Sequence, residues 1–259
     1  MATLQFEPLD ASFGVRVSGA NVAAIDDGNF NELYKRWLEA GLVVLSGQHL
    51  NREQQIAFAK RFGELEFDLA EIGNMRRDGS LRPDDGSDDM MKVNRGNMGW
   101  HHDSTYMPVQ AKGAVFTAEI VPAEGGATGF ADMRAAYDAL DAEMTIKIAT
   151  LRAHHSLYHS QGKVGHTAKP AKNASVNVDD DSKSTYGGYG FHDGAVSIRP
   201  LVKTHPETGR KNLLVGRHAY DIIGMDSDES EKLLKDLVDF ACHKSRTYHH
   251  QWEPGDVVV

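Results

Sequence analysis

The sequence predicts a mainly β domain with flanking helices, arranged as a double-stranded β-helix, the double-sheet jelly roll. Three observations carry this. Short apolar or alternating segments bounded by Gly-rich turns recur along the chain. Helical stripes are concentrated near the start and between those segments. Neither an internal repeat nor a nucleotide-binding glycine motif competes, so a two-layer β architecture suits the pattern better than a parallel α/β sheet.

The elements follow in order. Residues 13–19 alternate apolar and polar and end at Gly19, which predicts a first strand. Phe30, Leu33, Tyr34, Trp37 and Leu38 form the one-sided stripe of an amphipathic helix, and residues 42–45 read as a short buried strand. Asn51 and Gln54 have capping-box spacing and open a second helix continued by Ile56, Ala59 and Phe62. Residues 78–89, rich in Asp, Gly, Arg and Pro, predict a surface loop, and 92–106 a strand. A strand over 114–121 turns back at Gly125-Gly126 toward Phe130, and Asp132 caps the first of two short helices reaching Ile148. Residues 161–190 are too polar for a core and predict a lid loop over the site. Later strands are expected over 197–202, 212–215, 247–252 and 256–259. Between them a helix opens at Asp226 or Ser227 with Leu233, Leu234, Leu237, Val238 and Ala241 as its apolar stripe.

Composition excludes several classes. With 259 residues and 41% hydrophobic content the chain can bury a sizeable core, read here as one domain over 1–259. Lys and Arg number 28 against 37 Asp and Glu, a net charge of −9, so no basic field exists to hold a phosphate backbone and nucleic acid is not an expected partner. The single cysteine, Cys242, rules out an intrachain disulfide framework, suits a reducing cytoplasm and is expected to pack on a helix. No basic, apolar leader opens the chain and no apolar run of roughly 18 residues occurs, so no membrane is expected. An assembly of identical subunits is compatible with the sequence.

Trp100-His101-His102-Asp103 carries the chemistry. Side chains two apart on a strand share a face, so His101 and Asp103 can grip one ion while His102 points the other way as a packed polar histidine. An imidazole and a carboxylate, joined by a second imidazole, make the 2-His-1-carboxylate triad of non-haem iron oxygenases, which leaves positions open for a co-substrate and dioxygen. A metal hydrolase would need a general base that the motifs do not single out.

Five ordered motifs extend this: 99–106 around the ligand pair, Gly125-Gly126-Ala127-Thr128, 130–137, His205-Pro206-Glu207-Thr208-Gly209-Arg210 and Trp252-Glu253-Pro254-Gly255-Asp256. Over nearly its whole length the chain resembles the taurine dioxygenase and 2,4-dichlorophenoxyacetate dioxygenase family. Residues 89–93, 103–109 and 214–219 are most similar to the branch that cleaves phenoxypropionates and other aryloxyalkanoates, particularly with S selectivity.

The resemblance implies a distorted jelly roll in which Fe(II) binds 2-oxoglutarate and O2. It implies hydroxylation of the carbon beside an aryl ether oxygen, with collapse to a phenol and a 2-oxo acid alongside succinate and CO2. The alternatives are a taurine, alkylsulfonate or other small-acid dioxygenase of the same family, and a non-catalytic jelly-roll ligand-binding protein. Thr128 matches the position whose hydroxyl helps hold the far carboxylate of 2-oxoglutarate, although a turn-capping threonine would look the same. For the substrate carboxylate the candidates are Arg217 and His218 on a late strand, Asn97 four residues before His101, and more weakly Lys92. Tyr106, Met107 and Phe116 are candidates for an aromatic slot, and also for core. In the family pattern the second His ligand and the arginine that clamps 2-oxoglutarate follow the Gly255-Asp256 turn, the ligand by roughly ten residues or about 30 Å if extended, so both are expected beyond Val259, with the end of the family domain missing. His249 and His250, which precede the turn, are not expected to replace that ligand.

Overall fold

The computed structural model describes residues 3–76, 78–165, 190 and 194–259. Strands β1 (Gln5–Pro8) and β2 (Val15–Ser18) form an antiparallel hairpin, so the alternating 13–19 segment is extended over its central four residues. Helix α1 (Asp27–Ala40) starts at Asp26, whose carboxylate accepts from the Asn29 amide at 2.9 Å. It ends at Gly41 with φ 79°, a left-handed turn that costs a side-chain-bearing residue and not glycine. Phe30, Leu33 and Trp37 of the predicted stripe are buried. Strand β3 (Val43–Leu45) follows, then α2 (Arg52–Lys60), whose Asn51–Gln54 capping box has both reciprocal bonds.

Helix α3 (Asp89–Gly96) overturns the predicted strand over 92–106. The Asp88 carboxylate accepts from the Met91 amide at 3.1 Å, and the buried Met90 and Val93 stand three apart, the spacing of one helical face. A local cap outweighed the polar, strand-like reading. The predicted loop before it therefore stops at Asp88, and beyond Asn97 the chain runs through turns with no strand. Strand β4 (Phe116–Thr117) is the short remnant of the predicted 114–121 strand.

The remaining elements are β5 (Thr128–Ala131), α4 (Met133–Asp138), α5 (Ala142–Ile148), β6 (Arg152–His155), α6 (Leu157–Gly162), β7 (Ser197–Pro200), β8 (Val202–Thr204), β9 (Lys211–Leu213), β10 (Ala219–Ile222), α7 (Ser227–Ala241), β11 (Thr247–His250) and β12 (Val257–Val258). The predicted lid starts inside α6, where Gln161 is helical and fully buried, so its first two residues belong to the packed structure; residues 166–189 of it lie outside the described residues. Asp132 caps α4 and Asp226 caps α7, as the sequence implies.

The chain is built of β-sheets with packed helices. A five-stranded sheet has the order β1-β2-β3-β12-β4, antiparallel except for β2 beside β3, and a three-stranded antiparallel sheet has the order β10-β6-β7. Two ribbons, β5 with β11 and β8 with β9, complete the pairing among the described residues. Strands β3 and β12 are central and buried on both faces. Val43, Leu45 and Val257 pack with Leu33, Trp37 and Phe58, while Val44 and Val258 pack with Leu9, Leu42 and Phe116 on the other side. That two-sided burial explains their continuous apolar runs. A separate core joins the three-stranded sheet to α4 and α7 through Ala136, Ala153, Leu213, Ile222, Leu233 and Leu237. Among the described residues no helix is long and apolar enough to cross a membrane.

Candidate functional site

The Trp100-His101-His102-Asp103 motif lies on the irregular connection after α3, held from two sides. The Arg217 amide donates to the Trp100 carbonyl at 2.9 Å, and Gly216 lies so close that a Cβ there would stand 3.0 Å from the His101 Cα. A side chain at 216 would press against backbone that cannot swing aside as a side chain could. On the far side of the motif, Arg199 of β7 donates through Nε to the Thr105 carbonyl at 3.0 Å and through Nη2 to the carbonyls of Met107 and Pro108. The Ser197 hydroxyl bonds the carbonyls of Tyr106 and Met107 at 3.1 and 3.0 Å. Between the straps Ser104 turns the chain at φ 59° and donates to Glu66 Oε2 at 2.9 Å.

In this segment, which forms no strand, His101 Nε2 lies 3.2 Å from Asp103 Oδ1. Two donors each about 2.1 Å from a divalent ion and at right angles to one another lie about 3 Å apart, so the pair has the bite of adjacent metal ligands. His101 Nδ1 lies 2.7 Å from the Gly99 carbonyl, which requires a proton on Nδ1, while Nε2 faces the Asp103 carboxylate. Burial alone would lower the His101 pKa, but the Asp103 carboxylate and the Gly99 carbonyl outweigh it and hold it above the ordinary value. For Asp103 burial acts upward, and the bond and charge of His101 prevail to hold it low. His102 is pushed down to about 4 by burial and the adjacent His101, so it is neutral. The opposite-face argument for His102 falls with the strand: both histidines line one cavity of about 190 Å³, shared with Trp100, Leu42, Phe130 and Val215.

Among the described residues no group of three His, Cys, Asp or Glu side chains converges as a metal cage. His250 is engaged elsewhere, with Nε2 2.9 Å from Asp256 Oδ2 and its ring edge-on to Trp252. His249 packs against Trp100, with ring centroids 6.0 Å apart.

A sequence pattern described as "Taurine catabolism dioxygenase TauD, TfdA family" matches residues 5–259. The chain belongs to this family. It is 59% identical over 252 residues to an (S)-phenoxypropionate/alpha-ketoglutarate-dioxygenase of Sphingobium herbicidovorans, covering 97% of this chain and 84% of that protein. A protein of the same description from Delftia acidovorans is 51% identical, with 99% and 86% covered. Among solved structures, AAD-2 in complex with Mn(II) and N-oxalylglycine superposes with a TM-score of 0.85 at 33% identity, covering 99% of this chain and 86% of that one. The enzymes of this family use Fe(II), 2-oxoglutarate and O2.

The other predicted site residues of this TauD/TfdA member divide into those near the ligand pair and those used elsewhere. The Arg217 side chain packs over Gly99, its Nη2 donates to the Ser160 carbonyl at 2.6 Å, and its Nη1 is buried without a partner. Burial lowers its pKa, and its charge is felt by both His101 and His218. His218 is buried, 5.3 Å centroid to centroid from His101 and 4.9 Å from Tyr106, both edge-on. Burial, reinforced by His101 and Arg217, takes its pKa to about 2, so the ring is neutral. Thr128 accepts from Trp252 Nε1 at 2.8 Å, which leaves its hydroxyl proton to donate, as an anion contact requires. Asn97 ends α3 and accepts from Gln161 Nε2 at 3.3 Å. Lys92 is half-buried on α3, more than a turn before Asn97. Phe116 belongs to the core beside Val44 and Val258, and Met107 packs with Tyr106 and Leu157.

Sequence reasoning missed Ser160, Gln161, His155 and Arg199. Ser160 and Gln161 fell in a segment read as too polar for a core, yet α6 buries both. His155 is 2% exposed with neither ring nitrogen bonded, and burial takes its pKa to about 3. The only available signal was the alternation of Ala153 and His155, the two buried positions of β6.

Proposed function

We propose that this chain is an Fe(II)- and 2-oxoglutarate-dependent dioxygenase that hydroxylates an aryloxyalkanoate of the phenoxypropionate or phenoxyacetate type at the carbon beside the ether oxygen. The carrying observation is the juxtaposition of the His101–Asp103 pair with a buried, under-bonded guanidinium. His101 and Asp103 are the protein ligands read here for the iron, which with 2-oxoglutarate and O2 supplies the oxidant when bound. Thr128 is the hydroxyl donor for the far carboxylate of 2-oxoglutarate.

Arg217 Nη1 is the group read as receiving the substrate carboxylate: it is already desolvated, and a carboxylate would supply the acceptor it lacks. Anchoring the acid two residues from His101 orients the neighbouring C–H bond by proximity, and the collapse of the hydroxylated ether needs no side-chain nucleophile. The five- and three-stranded sheets are read as the facing layers of a distorted jelly roll.

Oxygen uptake with Fe(II), 2-oxoglutarate and a panel of phenoxypropionate enantiomers, phenoxyacetate and taurine tests the reading. Uptake and phenol release with the phenoxy acids are expected; a response to taurine alone would refute the substrate class.

A further inference from the structure

We propose that Ser160 is the positioning residue that orients His218 as a hydrogen-bond acceptor and Arg217 as the donor, so that an acidic substrate is taken by Arg217 alone. The proposal rests on the carboxylate reading of Arg217 given above. Ser160 is buried on α6 and touches both residues through different atoms. Its carbonyl accepts from Arg217 Nη2 at 2.6 Å, and its hydroxyl oxygen lies 2.8 Å from His218 Nδ1.

A serine hydroxyl has one proton and two lone pairs. The Ser160 proton goes to the Leu157 carbonyl at 3.0 Å, within the first turn of α6. The Ser160 oxygen is then an acceptor toward His218, so the single N–H of the neutral ring sits on Nδ1 and Nε2 carries a bare lone pair. A lone pair repels a carboxylate. The histidine that sequence pairs with Arg217 therefore excludes the anion from its own side, while Arg217 Nη1 has no other acceptor. Because both contacts originate in one residue of a helix, the donor and the acceptor are set at a fixed separation beside His101.

The test has a ligand-free arm and a kinetic arm. In the full chain, nitrogen-15 NMR of the His218 ring should report protonation at Nδ1. Ser160→Ala should redistribute that proton toward Nε2, and Ser160→Thr should restore it. In steady state Ser160→Ala should raise the KM for (S)-2-phenoxypropionate roughly tenfold, the value of about one hydrogen bond, and leave the KM for 2-oxoglutarate within about twofold. Ser160→Thr should recover most of the loss.

A wild-type ring protonated on Nε2, or a Ser160→Ala variant with unchanged tautomer and an unchanged ratio of the two KM values, overturns the proposal. Arg217→Ala separates the two layers. If it leaves the phenoxy-acid KM unchanged, the carboxylate reading itself fails and the proposal with it. If it raises that KM while Ser160→Ala does not, only the role of Ser160 is lost.

Discussion

Truncating Arg217 to alanine is the sharpest test of the site, because the structure gives the guanidinium a specific debt of one acceptor. Nη2 is bonded to the Ser160 carbonyl and Nη1 is buried with nothing to bond. A hydrogen bond to a charged group contributes about 1.5–3 kcal/mol net, and Nη1 has already lost its water, so the bond to a carboxylate should fall in the upper half of that range. At about 1.4 kcal/mol per decade this is roughly a 40- to 150-fold rise in the KM for a phenoxypropionate. Stability should change little, about 1 kcal/mol or less, because the truncation removes a good bond to Ser160 and an unsatisfied donor together. The assay is initial-rate kinetics with each acid varied at saturating concentration of the other. Arg217→Lys should lie between wild type and alanine, since an ammonium keeps the charge and loses the fork that serves two acceptors at once. A parallel rise in both KM values, or no rise in either, would refute the assignment.

Asp103→Ala should weaken Mn(II) binding, read by electron paramagnetic resonance, on the order of 100-fold, because it removes the anionic member of the pair. In the wild type the same titration should show affinity falling as pH drops: the His101 pKa is raised, so protons compete for Nε2 over a wider acid range than for a free imidazole. Cys242, the sole thiol, is raised from 9.0 to about 11 chiefly by burial, so at pH 8 its alkylation should be about 100-fold slower than that of a cysteine at 9.0. The sign for stability is the reverse of a carboxylate's: the partly buried thiol favours its neutral form, so its contribution is present below pH 9 and is lost as pH rises from 9 toward 11. Gly41→Ala combines a φ of 79° with a Cβ 2.8 Å from Arg134 Nη2, which itself donates to the Ala40 carbonyl at 2.8 Å. It should cost roughly 1–3 kcal/mol and lower the melting temperature by several degrees, with the KM values unchanged; an unaltered melting temperature would contradict the capping role.

Local rules made much of the fold legible. The Asn51–Gln54 capping box, the Asp132 and Asp226 caps, the stripe of α1 and the double-sided runs of β3 and β12 are all written in residues a few positions apart, and each forms where the spacing places it. Failure came where the deciding contact was distant or where a cap contradicted a weak pattern. Asp88 and the Met90–Val93 face made α3 a helix, and of 114–121 only Phe116 and Thr117 pair as a strand, opposite Val258 and Val257. The burial of Gln161 was invisible for a third reason. Its side chain fills the space that a glycine at position 96 leaves open, since a Cβ on Gly96 would meet it at 2.2 Å, and nothing near 161 in sequence encodes that vacancy.

The His101–Asp103 pair shows how sequence spacing can single out two neighbouring side chains on a backbone it misreads. Strand alternation would set His101 and Asp103 on one face at about 6–7 Å between Cα atoms, and their side chains would have to lean together to share an ion. In the irregular segment the side-chain atoms His101 Nε2 and Asp103 Oδ1 lie 3.2 Å apart, and that segment is held by contacts from Glu66, Ser197, Arg199 and Gly216, all remote in sequence. Spacing in sequence thus singled out two side chains that the structure brings together, and contacts remote in sequence hold the segment that carries them. Gly216 is the position at which this backbone contact can be tested. An alanine there would bring its Cβ to 3.0 Å from the His101 Cα, and relief would have to come from moving backbone that carries His101 on one side and Arg217 on the other. Gly216→Ala should therefore weaken both Mn(II) binding and phenoxy-acid affinity, a joint loss that neither Asp103→Ala nor Arg217→Ala produces alone; loss of one without the other would show that the two groups are not held by a shared backbone contact.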